Sequence, residues 1–194
     1  MTTTNIENSN FKPSRFNWKH PTCFENASLL GQWAIDTLAE KPPGRTFTDL
    51  GAGKCALINA CSRLPQFHFL KAVDDEHYGS FCDSACEFIH QDIEHYLATS
   101  DEQNEDVIVC EKVLNGILDT GKVSRILSFI FYRLAEHGSF LCSAFVITDH
   151  TEEFEKQWSQ KGLESLLESH GFVIERTHLS KQGLLSVHLT KPTA

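Results

Sequence analysis

Three carboxylates, Asp49, Asp74 and Asp92, each close a short run suited to a buried strand, over residues 46–50, 67–73 and 87–92. The first opens the turn Asp49-Leu50-Gly51-Ala52-Gly53-Lys54-Cys55. A helix over about 55–63 is expected after it, on Ala56, Leu57, Ile58, Ala60 and Cys61. A strand running through Gly-x-Gly into a helix sets bare backbone and a helix N-terminus against a ligand. In a parallel sheet the C-terminal ends of the strands share one edge, where ligands of open α/β sheets bind.

Three ligand chemistries compete for this corner. A P-loop needs Gly-x-x-x-x-Gly-Lys-Ser/Thr, but Thr48 stands at the first glycine and Cys55 at the magnesium-binding hydroxyl. A dinucleotide site is formally satisfied by Gly51-x-Gly53-x-x-Ala56, with Asp74 at the distance expected of a ribose-binding acid. Asp49 opposes that reading, because its carboxylate would face a doubly negative pyrophosphate. A sulfonium ligand turns the same acid into an asset. Such a ligand offers an ammonium group to Asp49, ribose hydroxyls to Asp74 and an adenine amino group to Asp92.

The elements that position these acids follow from periodicity. Apolar positions from Phe24 to Leu38 predict a helix over 22–40, with Thr22 and Glu25 as a capping box, stopped by Lys41-Pro42-Pro43-Gly44. The run Asp106-Val107-Ile108-Val109-Cys110 reads as a buried parallel strand. An amphipathic helix is expected over 119–137 with Gly138 as its cap, then a strand over 139–145 and a helix over 152–170 stopped by Gly171. Residues 172–177 and 184–189 flank Ser180-Lys181-Gln182-Gly183 as a hairpin. Strands alternating with helices imply an α/β sandwich with a mostly parallel sheet. Residues 1–16 are expected to be a flexible tail, and 17–194 a single domain whose first part, 17–41, is a lid and helix.

The chain resembles the class I S-adenosylmethionine-dependent methyltransferases from about residue 22 to 192. Asp49-Leu50-Gly51-Ala52-Gly53 is similar to their glycine-rich first motif, and Val73-Asp74 to the acid after the second strand. Gln91-Asp92-Ile93 is similar to the adenine-side motif, and Asp106 to Asn115 to the fourth strand and its loop. The resemblance implies a three-layer, Rossmann-like fold with seven strands and an antiparallel C-terminal strand. It implies S-adenosylmethionine as cofactor and S-adenosylhomocysteine as product. The cofactor-binding set it implies is Asp49, Gly51, Ala52, Gly53, Asp74, Asp75, Asp92, Ile93, Cys110 and Glu111. Cys55 replaces the usual third glycine, and the segment from Asp74 to Asp92 is short.

Methyl transfer from a sulfonium is an in-line displacement, so alignment and exclusion of water carry most of the catalysis. No catalytic residue is named by the sequence, although His150 and Glu111 are candidates. Trp18, His20, Tyr78 and His150 are candidates for substrate contact. His77, Cys82, Cys86 and His90 have spacing superficially like a zinc site, but a strand at 87–92 breaks their shared face, so no metal is expected.

The 194 residues suit one domain, and the formal net charge of −9 without any Lys/Arg cluster disfavours a nucleic-acid partner. Seven scattered cysteines, an N-terminus without a secretory signal and the lack of an apolar run long enough to span a membrane point to the cytoplasm. The expected activity is methyl transfer to a small-molecule nucleophile, with a protein acceptor second. The alternatives are an NAD(P)-binding oxidoreductase and a non-catalytic methyltransferase-like module.

Overall fold

The computed structural model describes residues 29–39, 45–63, 67–101, 103–147 and 158–193. The expected tail and lid, with Trp18 and His20, lie outside them, as does His150. In chain order the elements are α1 (Leu29–Ala39), β1 (Arg45–Leu50), α2 (Ala56–Cys61), β2 (Phe67–Asp74), β3 (Glu87–His90), α3 (Ile93–Thr99) and β4 (Glu105–Glu111). They continue with α4 (Thr120–Arg133), β5 (Leu134–Phe145), α5 (Gln160–Ser169), β6 (Val173–Leu179) and β7 (Leu184–Thr190). The seven strands form one sheet in the order β3-β2-β1-β4-β5-β7-β6. Strands β1 to β5 pair in parallel, β7 runs antiparallel between β5 and β6, and the β6–β7 hairpin turns at Ser180–Gly183.

Alternating side chains of the central strands fill two cores, one on each face. Phe47, Ala72, Val107, Val109 and Leu141 pack under α1 and α2. Leu50, Val73, Ile108, Cys110, Phe140 and Cys142 pack under α3, α4 and α5. Burial on both faces is why β4 reads as an almost unbroken apolar run. The result is the expected three-layer sandwich.

Two elements depart from the sequence reading. Helix α3 was not expected. Asp92 caps it by accepting a hydrogen bond from the His95 amide at 3.1 Å, and Tyr96 and Leu97 bury its inner face. Helix α4 ends at Arg133 rather than His137, because Arg133 is held in the core by Glu105 and Leu134 already pairs with β4. Gly138 therefore does not cap a helix. It lies within β5 at an irregular register, where a Cβ would press on the Ala135 and Glu105 carbonyls. The expected last helix is described from Trp158 on, and there it begins only at Gln160 and runs to Ser169, because Ser159 caps it and bridges to Ile147.

Candidate functional site

Strands β1, β2 and β4 run in the same direction, so Asp49, Asp74 and Glu111 come together at the C-terminal edge of the sheet. A cavity of about 590 Å³ opens there, lined by Gly51, Asp74, Asp75, Asp92, Ile93 and Glu111 from the strand ends. Its other wall is the segment from Lys112 to Asp119 with Lys122 and Ile126 of α4, a wall the sequence reading did not foresee. The volume lies in the range of small-molecule and cofactor sites.

The glycine-rich turn closes on itself through its own amides. Gly51 N and Ala52 N both donate to the Val73 carbonyl at 2.8 and 3.2 Å, and Cys55 N donates to Ala52 O at 2.9 Å. Gly53 N donates to Asp74 Oδ2 at 2.7 Å, and Glu76 N donates to Asp74 Oδ1 at 2.9 Å. The backbone must turn left-handed to do this, with φ of +73° at Gly51 and +58° at Cys55. Gly51 is required twice over, since a Cβ there would collide with Val113 Cγ2. Cys55 takes the left-handed conformation that favours glycine, and its side chain is nonetheless fully buried.

The four carboxylates differ in their surroundings. Asp49 is only 4% exposed, and no described residue donates a hydrogen bond to its carboxyl. Burial, with Glu111 and Asp74 adding to it, pushes its pKa up to about 7. Asp74 is buried and satisfied by the two amides. Glu111 lies 3.2 Å from Lys112 Nζ on the exposed side. Asp92 accepts from Lys122 Nζ at 2.8 Å. Burial tends to raise the Asp92 pKa, but Lys122 and the helix amides outweigh it and hold Asp92 below the usual range.

The structure thus brings together Gly51, Asp74, Asp75, Asp92, Ile93 and Glu111 on the cavity wall, whereas Asp49 is buried at the end of β1 and does not itself line the cavity. Ala52 and Gly53 shape the turn behind the cavity, and Cys110 is buried in the core below it. Tyr78 is turned edge-on to Phe81, with centroids 6.3 Å apart, and does not line the cavity. The His77 and His90 rings lie 3.9 Å apart at a tilt of 39°, while Cys82 and Cys86 pack against α2. Among the described residues no group of His, Cys, Asp and Glu is placed to hold a metal ion. Lys122 was missed by sequence reasoning, although its place in the first turn of a helix beside the sheet edge was the available signal.

No protein-family model matches the chain, and no curated protein sequence does. Solved structures do. The N-methyltransferase NodS from Bradyrhizobium japonicum WM9 superposes with a TM-score of 0.66 at 14% identity, covering 84% of this chain and 94% of that one. The 1,6-didemethyltoxoflavin-N1-methyltransferase of Burkholderia thailandensis, with 1,6-didemethyltoxoflavin and S-adenosylhomocysteine bound, gives 0.66 at 18% identity, covering 85% of this chain and 79% of that one. The [4+2]-cyclase SpnF gives 0.69 at 11% identity, covering 85% and 80%. The chain has the fold of the class I S-adenosylmethionine-dependent methyltransferases. The cyclase shares that fold, so the activity must be argued from the site.

Proposed function

We propose that this protein is an S-adenosylmethionine-dependent methyltransferase acting on a small-molecule nucleophile. The observation that carries the reading is the Asp49 carboxyl, buried beside Glu111 and Asp74 without a hydrogen-bond donor among the described residues. A buried acid of that kind behind a wall carrying Glu111 and Asp74 favours a cationic ligand and opposes a pyrophosphate. The turn argues the same way. The amides of Gly51, Ala52 and Gly53 that would cradle phosphate already donate to Val73 and Asp74, and α2 is a helix of six residues. A dinucleotide would have to break those bonds.

In this reading Asp74 accepts from the ribose hydroxyls with the lone pairs its two amide contacts leave. Asp49 and Glu111 face the ammonium and sulfonium end, and Asp92 with Ile93 borders the adenine. The cofactor supplies an activated methyl group. The chain positions the ammonium end through its carboxylates, screens the site from water with the 112–119 wall and keeps the acceptor in line. Glu111, on the cavity wall, is assigned to take a proton from an acceptor at the rim, and His150 is the second candidate. NodS and the toxoflavin enzyme, by name N-methyltransferases, support the methyltransferase class.

Calorimetric titration with S-adenosylmethionine, S-adenosylhomocysteine and NADH tests the proposal. Binding of the first two alone is expected; binding of NADH alone refutes it. A non-catalytic module is the second reading, favoured by Lys122 lying across Asp92. Ligand binding without any methylated product from a metabolite extract would select it.

A further inference from the structure

Three of the thiols outside the cavity converge on the first turn of α2. Cys55 is its N-cap, and its Sγ lies 3.6 Å from the Gly53 carbonyl. One turn on, Asn59 donates its own amide to the Cys55 carbonyl at 3.0 Å. Its side chain grips the β2–β3 connection on both sides of Cys82. Nδ2 donates to Phe81 O at 2.7 Å, and Asp83 N donates to Oδ1 at 2.8 Å. Ser62 Oγ adds a contact to Asp83 Oδ2 at 3.3 Å. Cys82 packs on the core cluster that contains Cys55, and its thiol is a hydrogen-bond neighbour of both Cys55 and Cys86. The third thiol, Cys86, points its Sγ at Ile58 O at 3.9 Å.

We propose that Cys82 and Cys55 form a reversible disulfide that fastens the β2–β3 connection to the glycine-rich turn and so makes the ligand site responsive to oxidants. Cys82 is the partner an oxidant reaches, since it is half-exposed on a connection whose neighbour Phe81 is largely exposed. Cys55 is fully buried and lies on the far side of it. With a peroxide as oxidant the step balances. The Cys82 sulfur takes one oxygen from hydrogen peroxide, giving a sulfenic acid and one water. The Cys55 sulfur then displaces that hydroxyl, giving the S–S bond and a second water. The two sulfurs supply the two electrons that reduce the peroxide.

The consequence for the site runs through two bonds already described. Closing the disulfide draws Cys55 Sγ from Gly53 O, and Gly53 N is the donor that holds Asp74. The device is slow by construction. Burial and the neighbouring thiol of Cys82 push Cys55 and Cys86 up to about 12, so the cross-link accelerates with rising pH.

The test is peptide mapping of the full chain before and after hydrogen peroxide or diamide, with hydrogen exchange followed at residues 51–55. A Cys55–Cys82 cross-link is expected that dithiothreitol reverses, that Cys82→Ser abolishes and that alters exchange at the turn. A reaction confined to Cys82–Cys86, no cross-link, or unchanged exchange at the turn overturns the proposal. Under the methyltransferase reading, the oxidised protein also binds S-adenosylhomocysteine at least tenfold more weakly than the reduced one. Equal affinity in the two forms overturns the link to the site. Reduced protein that binds no S-adenosylhomocysteine at all refutes the methyltransferase reading instead, and mapping and exchange still decide the cross-link.

Discussion

The two ends of the same parallel strands treat buried acids in opposite ways. At the N-terminal end, Glu105 and Arg133 are each about 2% exposed, with Arg133 Nε and Nη2 donating to Glu105 Oε1 at 2.9 and 2.7 Å. Thr48 donates to the other carboxylate oxygen, and Arg133 reaches the Ser100 carbonyl and the Tyr96 hydroxyl as well. Asp106 beside it holds Arg45 at 2.7 Å and Thr46. At the C-terminal end Asp49 is nearly as buried and has no such partner among the described residues. A fully satisfied buried charge ties elements together. A buried acid without a donor among the described residues costs stability, and it is this cost near the strand-end cavity that the proposed function puts to use.

The comparison breaks most visibly on mutation. Arg133→Ala leaves Glu105 charged and buried, and a loss of about 3–5 kcal/mol is expected by denaturant unfolding. Restoration of most of that by the double change Arg133→Met with Glu105→Leu would confirm that the pair, not the volume, is at stake. Asp49→Asn at the other end should leave the fold as stable or more so.

The second contrast lies in pH. Burial pushes the Asp49 carboxyl from its ordinary range up to about 7 in the folded protein, so the unfolded chain loses its proton first as pH rises. Its contribution to stability is therefore fully present below about pH 4 and is lost progressively up to about 7, by up to about 1 kcal/mol per pH unit. Urea midpoints of the wild type against Asp49→Asn between those pH values should diverge with that sign. Parallel curves would remove the strain assigned to Asp49.

Smaller effects sharpen the picture. Asp74→Ala removes the acceptor for the Gly53 and Glu76 amides, at about 1–3 kcal/mol of stability, and should abolish cofactor binding while the circular dichroism stays native. Unchanged affinity would refute its ribose role. Lys122→Met breaks a part-exposed ion pair, so stability should fall by about 1 kcal/mol or less, while affinity for an adenosine ligand rises as Asp92 is freed. Smallest of all, Cys55→Gly exchanges relief of a left-handed backbone for a lost buried side chain, and a net change below about 1 kcal/mol is expected in thermal melts.

Much of the fold was legible because the strands around the site are buried on both faces and end in acids. Periodicity and the Gly-x-Gly turn sufficed to place β1, β2, β4 and the C-terminal hairpin. The N-terminal pole was not legible. Glu105 and Arg133 meet across 28 positions of sequence, and no local pattern announces such a pair. The pair also explains the misplaced end of α4, since helical periodicity continues past Arg133 but tertiary pairing stops it. Helix α3 was within reach, because Asp92 is a good cap and Ile93, Tyr96 and Leu97 have helical spacing. Reading Asp92 only as a strand-end acid hid its capping role and its partner Lys122. Asp49, Asp74 and Glu111 could be grouped from strand ends alone, but their unequal satisfaction depends on amides and lysines that only the folded chain brings near.

In the proposed function the Asp49 carboxyl, without a donor among the described residues, is there to meet a cation. The direct measurement is the affinity of S-adenosylmethionine for the wild type and for Asp49→Asn at pH 8, where the wild-type acid is ionised. The claim predicts at least tenfold weaker binding to the variant with no loss of thermal stability. Equal or tighter binding to Asp49→Asn would contradict it.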